Sequence, residues 1–184
     1  ALLKLVGINI VIVHGGGKRI NAMLDRVNLD VKFEKGQRVT DENVIGIVEM
    51  VLSGQINKDL SASLSAHGLN AVGLSGRDSG LLMAEKNFSI EENGEKRDIG
   101  FVGNITEVNK ILLQDLINTG YVPIISPVAS GYKGEIFNVN ADYAAGAVSG
   151  ALNAEKLILL SDIKGLYKDI NDESSFISEI NISR

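Results

Sequence analysis

Apolar positions along this chain alternate between short unbroken runs and stripes spaced by three and four. Ile10, Val11, Ile12 and Val13 form such a run. It ends at His14, three glycines follow (Gly15, Gly16, Gly17), and Ile20, Met23, Leu24 and Val27 then recur at helical spacing. The pattern predicts a buried strand, a bare-backbone turn and a helix with one apolar face. Thr40 is the expected N-cap of a long second helix, with Asp41 and Glu42 in its first turn and an apolar ridge of Val44, Val48, Val51, Leu52, Leu60 and Leu64; Gly68 closes it.

Leu69 to Leu74 and Leu81 to Ala84 read as strands, and Asn93-Gly94 between polar flanks predicts a hairpin, Lys86 to Ile99, as a solvent-facing flap. A helix is expected over Asn109 to Thr119 with Gly120 as its left-handed cap, followed by a buried strand from Tyr121 to Ser126. Ala141, Ala144, Ala145, Val148, Ala151 and Leu152 line a narrow face of another helix. Leu157 to Leu160 then reads as a last strand that delivers Ser161 and Asp162 to its carboxyl end, with Gly165 in the turn beyond. Alternating strands and helices, with strands apolar on both faces, define an α/β chain with a mainly parallel, helix-covered sheet: a three-layer αβα sandwich plus a β-hairpin flap. Ligands collect at the carboxyl ends of such strands, where the glycine turn, the loop after Ser126 and the Ser161-Asp162 pair are all expected.

Composition narrows the chemistry. With 184 residues and 45% hydrophobic content the chain can bury a sizeable core. It has no cysteine and two histidines, His14 and His67, which removes thiolate chemistry and leaves little for a metal centre, so no metal-binding residue is assigned. A net charge of -5 and 5% aromatic content argue against a nucleic-acid partner. No apolar run is long enough to span a bilayer and no leader pattern is visible, so no membrane partner and a soluble, cytoplasmic protein are expected.

The glycine turn is the first chemical feature. Glycines without Cβ admit a ligand close to their N–H groups, and the helix that follows adds unpaired donors and the positive end of its dipole. These features make the turn a candidate anion site. The same glycines also suit a tight strand-to-helix turn that binds nothing, and they match neither a Walker A loop nor G-x-G-x-x-G.

The motifs His14-Gly15-Gly16-Gly17, Gly36-Gln37-Arg38-Val39-Thr40, Asn57-Lys58, Gly100-Phe101-Val102-Gly103, Asn138-Val139-Asn140-Ala141-Asp142 and Leu159-Leu160-Ser161-Asp162-Ile163-Lys164-Gly165 occur in the order found in the N-acetyl-L-glutamate kinases, which the chain resembles over nearly its whole length. The resemblance implies the amino-acid kinase fold and transfer of phosphate from ATP, with Mg2+, to the γ-carboxylate of N-acetyl-L-glutamate in arginine biosynthesis. It also implies a homodimer or homohexamer. Residues 1–152 would form the acceptor-binding lobe and 153–184 the start of a nucleotide-binding lobe, one continuous domain being the alternative.

By resemblance, Gly16 and Gly17 offer backbone donors near the transferring phosphate, Arg38 holds the acceptor α-carboxylate and Asn138 contacts the same substrate. Asp142 corresponds to an aspartate that organises catalytic lysines, while Ser161, Asp162 and Gly165 resemble the nucleotide-side loop. Phosphoryl transfer needs in-line positioning and charge neutralisation more than bases, and a carboxylate acceptor is already ionised. Arginine suits it because the guanidinium fork binds both oxygens.

Plainer roles stand beside these. Arg38 alone reads as a surface-paired residue, Asp142 as a helix cap, Asn138 and Asn140 as turn formers, and His14 as a buried, hydrogen-bonded histidine. The family's lysine beside a glycine pair in its first strand, and its second lysine beyond the equivalent of Asp162, have no counterpart here. Lys18 and Lys164 do not occupy those positions, so the chain is expected to be truncated at both ends. A different amino-acid kinase and a non-catalytic amino-acid-binding module are the alternative functions.

Overall fold

The computed structural model describes residues 2–91, 94–161, 165–169 and 171–181. At its centre lies a three-stranded parallel sheet in the order β1 (Ile12–Val13), β7 (Val122–Ser126), β4 (Ala71–Ser75). Every residue of β7 is buried, as a continuous apolar run in a central parallel strand requires. Helix α4 (Asn57–Ala66) packs on β4 and β7, α5 (Lys110–Asn118) on β7 and α6 (Ala141–Ala151) on β1.

Beside this sheet, four strands close into a small barrel. β5 (Leu82–Ile90) and β6 (Lys96–Val108) form a long antiparallel hairpin. β8 (Val128–Ser130) and β9 (Ile136–Asn138) complete the ring through single parallel pairs, Met83 with Ser130 and Val102 with Asn138. The expected flap is therefore the outer part of a barrel wall: Phe88 and Ile90 are exposed at its far end, but Ile99 is fully buried. Asn93 lies outside the described residues; Gly94 has φ +84°, the left-handed backbone expected of that turn.

Two helical starts show how local signals compete. The long helix begins at Asp41, not Thr40. The Asp41 Oδ1 accepts from the N–H groups of Asn43 and Val44, both at 2.9 Å, whereas Thr40 is fully buried and bridged to Gly100. Both residue types cap well, and the long-range bridge decides between them. The helix runs as α3 (Glu42–Glu49), π-helical turns (Met50–Ile56) and α4 without a break in right-handed backbone. At α5, Asn109, expected as the first helical residue, is the N-cap, and Gly120 follows at φ +89°, the left-handed cap that the sequence predicts.

The run Leu157–Leu160 is not a strand. Its four side chains are 49%, 68%, 56% and 95% exposed, and it pairs with nothing among the described residues. An apolar run reports a preference for burial but does not supply the neighbour whose backbone must complete the ladder.

The buried residues form two clusters. One joins the barrel, β7, α5 and α6 around Leu82, Leu113, Ile125 and Phe137; the other joins α2 (Gly17–Arg26), α3 and the π-helical turns around Leu24, Val48 and Leu52. No helix among the described residues is long and apolar enough to cross a membrane.

Candidate functional site

The glycine turn lies between the two clusters. A Cβ on Gly16 would meet Ile56 Cδ1 at 2.3 Å and Leu52 Cδ2 at 2.7 Å, and one on Gly15 would touch Ala141 Cβ at 3.5 Å, whereas Gly17 faces open space. Gly16 has φ -174°, extended backbone open to any residue, so what glycine supplies there is close packing. The turn leads into α2, whose first N–H groups have no partner within the helix.

A cavity of about 210 Å³ opens beside the turn, lined by Gly15–Gly17, Arg38, Asn138 and Asn140 among others. Gly16, Gly17, Arg38 and Asn138, assigned to acceptor and phosphate from the motifs, are thus brought to one cavity. Arg38 ends β3 (Gln37–Arg38), paired with β2 (Phe33–Glu34) in a short antiparallel ribbon. The residue is 6% exposed. Its Nη2 donates to Asn21 Oδ1 at 2.5 Å and its guanidinium lies 4.8 Å from the centre of the Phe33 ring. Nη1 is buried without any hydrogen-bond partner, and no carboxylate is paired with the group among the described residues. Desolvation lowers the Arg38 pKa. A buried cation with an unsatisfied donor is costly unless an anion completes it.

Thr40 ties the Asn138 side chain to the Arg38 backbone. Asn138 Nδ2 donates to Thr40 Oγ1 at 3.2 Å, and Thr40 Oγ1 donates to the Arg38 carbonyl at 2.8 Å. The Thr40 backbone is held from the other side by the barrel: its N–H donates to Ile99 and its carbonyl accepts from Phe101.

Asp142 stands apart. It is exposed in the first turn of α6, and the cap of that helix is Asn140, whose Oδ1 accepts from Asp142 N at 2.8 Å and Tyr143 N at 3.3 Å. The capping role suggested for Asp142 therefore belongs to Asn140. Ser161 is exposed and Gly165 lies against the Phe176 ring; neither lines the cavity, and Asp162 lies outside the described residues.

His14 is 8% exposed, and burial lowers its pKa. Its ring is held by Asn57, a fully buried amide that the sequence presents only as part of a motif. Helical spacing carries no sign that a polar side chain is enclosed there. A second cavity, about 490 Å³, lies on the other side of the glycine turn and includes Lys18, Arg19 and Asp59, the last two joined by an ion pair.

A parallel sheet with a glycine turn at a strand end, sharing a cavity with a buried arginine that no carboxylate pairs with among the described residues, defines an α/β protein whose cavity lies where such folds take their ligands. The amino acid kinase family model matches residues 1–184, and the chain belongs to that family. It is 51% identical over 180 residues to the acetylglutamate kinase of Clostridium acetobutylicum, covering 98% of this chain and 61% of that protein. To the acetylglutamate kinase of Methanopyrus kandleri it is 44% identical, covering 92% of this chain and 69% of that one. Among solved structures, N-acetylglutamate synthase from Neisseria gonorrhoeae, complexed with coenzyme A and N-acetyl-glutamate, superposes with a TM-score of 0.75 at 25% identity, over 90% of this chain and 37% of that one. The chain spans about three fifths of the length of the first two bacterial acetylglutamate kinases it matches.

Proposed function

We propose that the protein to which this chain belongs phosphorylates the γ-carboxylate of N-acetyl-L-glutamate with ATP, as a step of arginine biosynthesis. The observation that carries the reading is Arg38, a buried guanidinium with an unpartnered Nη1 in the same cavity as the glycine turn. Likeness to acetylglutamate kinases at about half identity supports the same acceptor.

In this reading Arg38 takes the α-carboxylate and Asn138 orients the same substrate. One oxygen of the γ-carboxylate attacks the γ-phosphorus in line, the bond from that phosphorus to the ADP oxygen breaks, and its electron pair leaves with ADP. Gly16 and Gly17 N–H groups receive the charge spread over the equatorial oxygens, where preorganised donors act most strongly. Asp142 organises cationic groups around the transferring phosphate, and Ser161, Asp162 and Gly165 belong to the nucleotide side. Mg2+ arrives with ATP as part of the substrate. Residues 1–152 act as the acceptor lobe and 153–184 open the nucleotide lobe, within a homodimer or homohexamer of a cytoplasmic enzyme.

Hydroxylamine trapping of the acyl phosphate, run on the full protein with MgATP and with N-acetylglutamate, glutamate or carbamate, tests the proposal. Hydroxamate is expected with N-acetylglutamate alone. Binding of that acceptor without turnover would instead mark a non-catalytic binding module, and turnover with glutamate a different amino-acid kinase.

A further inference from the structure

Asn57 joins three chain segments that approach the glycine turn from below. Its Nδ2 lies 2.9 Å from the Ile124 carbonyl in β7, 3.3 Å from the Leu74 carbonyl in β4 and 3.2 Å from His14 Nε2. Carbonyl oxygens only accept, so the NH2 side of the amide must face them. Lys58 confirms that orientation from the opposite end: its Nζ donates to Asn57 Oδ1 at 3.2 Å and to the Gly73 carbonyl at 2.9 Å. Gly73 is the residue that makes room, since a Cβ there would fall 2.0 Å from Asn57 Oδ1.

The consequence reaches the turn through His14. The Asn57 amide has two hydrogens for these three acceptors, so one N–H is shared; because an amide nitrogen cannot accept, Nε2 at 3.2 Å must be the acceptor, which puts the imidazole proton on Nδ1. Nδ1 lies 3.1 Å from the Gly15 carbonyl, and in this tautomer it donates to it. In a trans peptide the carbonyl and the next N–H point to opposite sides. A Gly15 carbonyl drawn to the imidazole therefore turns the Gly16 N–H away from it.

We propose that Asn57 is a positioning residue for phosphoryl transfer, holding His14 in the Nδ1-protonated tautomer so that the Gly15 carbonyl is pinned and the Gly16 N–H is fixed toward the transferring phosphate. This rests on the kinase reading above. His14 in this role neither binds substrate nor moves a proton; it transmits the orientation that the buried amide sets. Without the pin the Gly15–Gly16 peptide can rotate and present its carbonyl to the phosphate, replacing attraction by repulsion.

The test separates positioning from packing. In the full protein, Asn57→Leu and His14→Leu are expected to lower kcat by up to about 100-fold, the effect of a misplaced group, with the acceptor KM unchanged. His14→Asn, whose side-chain amide can stand in for the Nδ1 half of the ring, is expected to recover most of the rate. Equal rates for His14→Asn and His14→Leu would overturn the proposal, even if Asn57→Leu does not fold. Nitrogen-15 spectra of the wild-type ring should show a protonated Nδ1 and a bare Nε2; the reverse tautomer would overturn it as well. A wild type that turns over no N-acetylglutamate would defeat the kinase reading alone. Titration with inorganic phosphate then decides: a shift of the Gly16 amide resonance in the wild type that is lost in His14→Leu supports the pin, and the same shift in both refutes it.

Discussion

Gly100 lies directly beneath the Thr40 carbonyl, so that a Cβ on Gly100 would fall 2.0 Å from that oxygen. The contact bridges the barrel to the segment that carries Arg38. Gly100 also has φ +82°, and Asp98 Oδ1 accepts its N–H at 2.8 Å; the Lys86 ammonium first, and then this bond, hold the Asp98 carboxyl below its ordinary pKa. Gly100→Ala meets both a left-handed backbone and a backbone clash, and is expected to cost about 2 kcal/mol or more. Urea denaturation measures it, and a loss under about 0.5 kcal/mol, the range of neutral surface changes, would show that the bridge is not a structural requirement.

What the sequence could and could not show follows from the range of the interactions involved. The glycine turn, the start of α5 at Asn109 with Gly120 as its cap, and Ile20 and Leu24 on the buried face of α2 are set by neighbours within a turn or two, and each was legible, whereas Val27, expected on the same stripe, caps α2 and is exposed. The choice of Asp41 over Thr40 as cap was not, because it depends on Gly100, far along the chain. Barrel closure through Met83–Ser130 and Val102–Asn138 leaves no periodic trace. Of the candidate site, motif order picked out Arg38, Asn138, Gly16 and Gly17, which do share a cavity, but not Asn57 as an organiser, since a buried amide looks like any polar position in a helical pattern. Leu157–Leu160 shows the converse: an apolar run forms no ladder where no partner strand lies beside it among the described residues.

Arg38 sets function against stability. Replacing a buried, incompletely satisfied cation by an apolar side chain of similar length is often neutral or stabilising. Arg38→Met is expected to melt at or above the wild-type temperature while losing acceptor binding, because a hydrogen bond to a charged group contributes roughly 1.5 to 3 kcal/mol. N-acetylglutamate should raise the melting temperature of the wild type but not of the variant. A variant that is strongly destabilised yet still shifted by the ligand would remove Arg38 from the acceptor site.

The two glycines of the turn are expected to respond differently. Gly16→Val drives side-chain atoms into Ile56 and Leu52 and should lower stability by about 1 to 3 kcal/mol. Gly17→Ala meets nothing within 4 Å and enters the first turn of α2, so it should fold as well as the wild type or better. A normal melting temperature with a lower kcat for Gly17→Ala would trace the loss to blocked approach of the phosphate. Unchanged turnover would make the turn purely structural.

His14 predicts one component of the acid response. Burial lowers its pKa below the ordinary 6.5, so in the window between the folded value and about 6.5 the unfolded chain binds a proton that the folded chain does not. Stability therefore falls as pH drops through that window and is fully present above it. Denaturation midpoints of the wild type and His14→Asn between pH 5 and 8 should converge at the acid end of the range if His14 is the source. Parallel pH profiles for the two proteins would exclude it.

Asp142 is the sharpest test of the phosphoryl-transfer reading, because the structure removes its plainest alternative. Asn140 already caps α6, so Asp142 contributes to that helix only as a negative charge in the first turn, worth about 0.3 to 1 kcal/mol at an exposed position. Asp142→Asn should therefore change the melting temperature slightly. If the carboxylate organises cationic groups around the transferring phosphate, the same variant lowers kcat far more than it raises either KM, since such groups act on charge that develops in the transition state. Steady-state kinetics of the full protein, with each substrate varied in turn, give the split. A small loss of stability with unchanged kcat would confine Asp142 to the helix dipole.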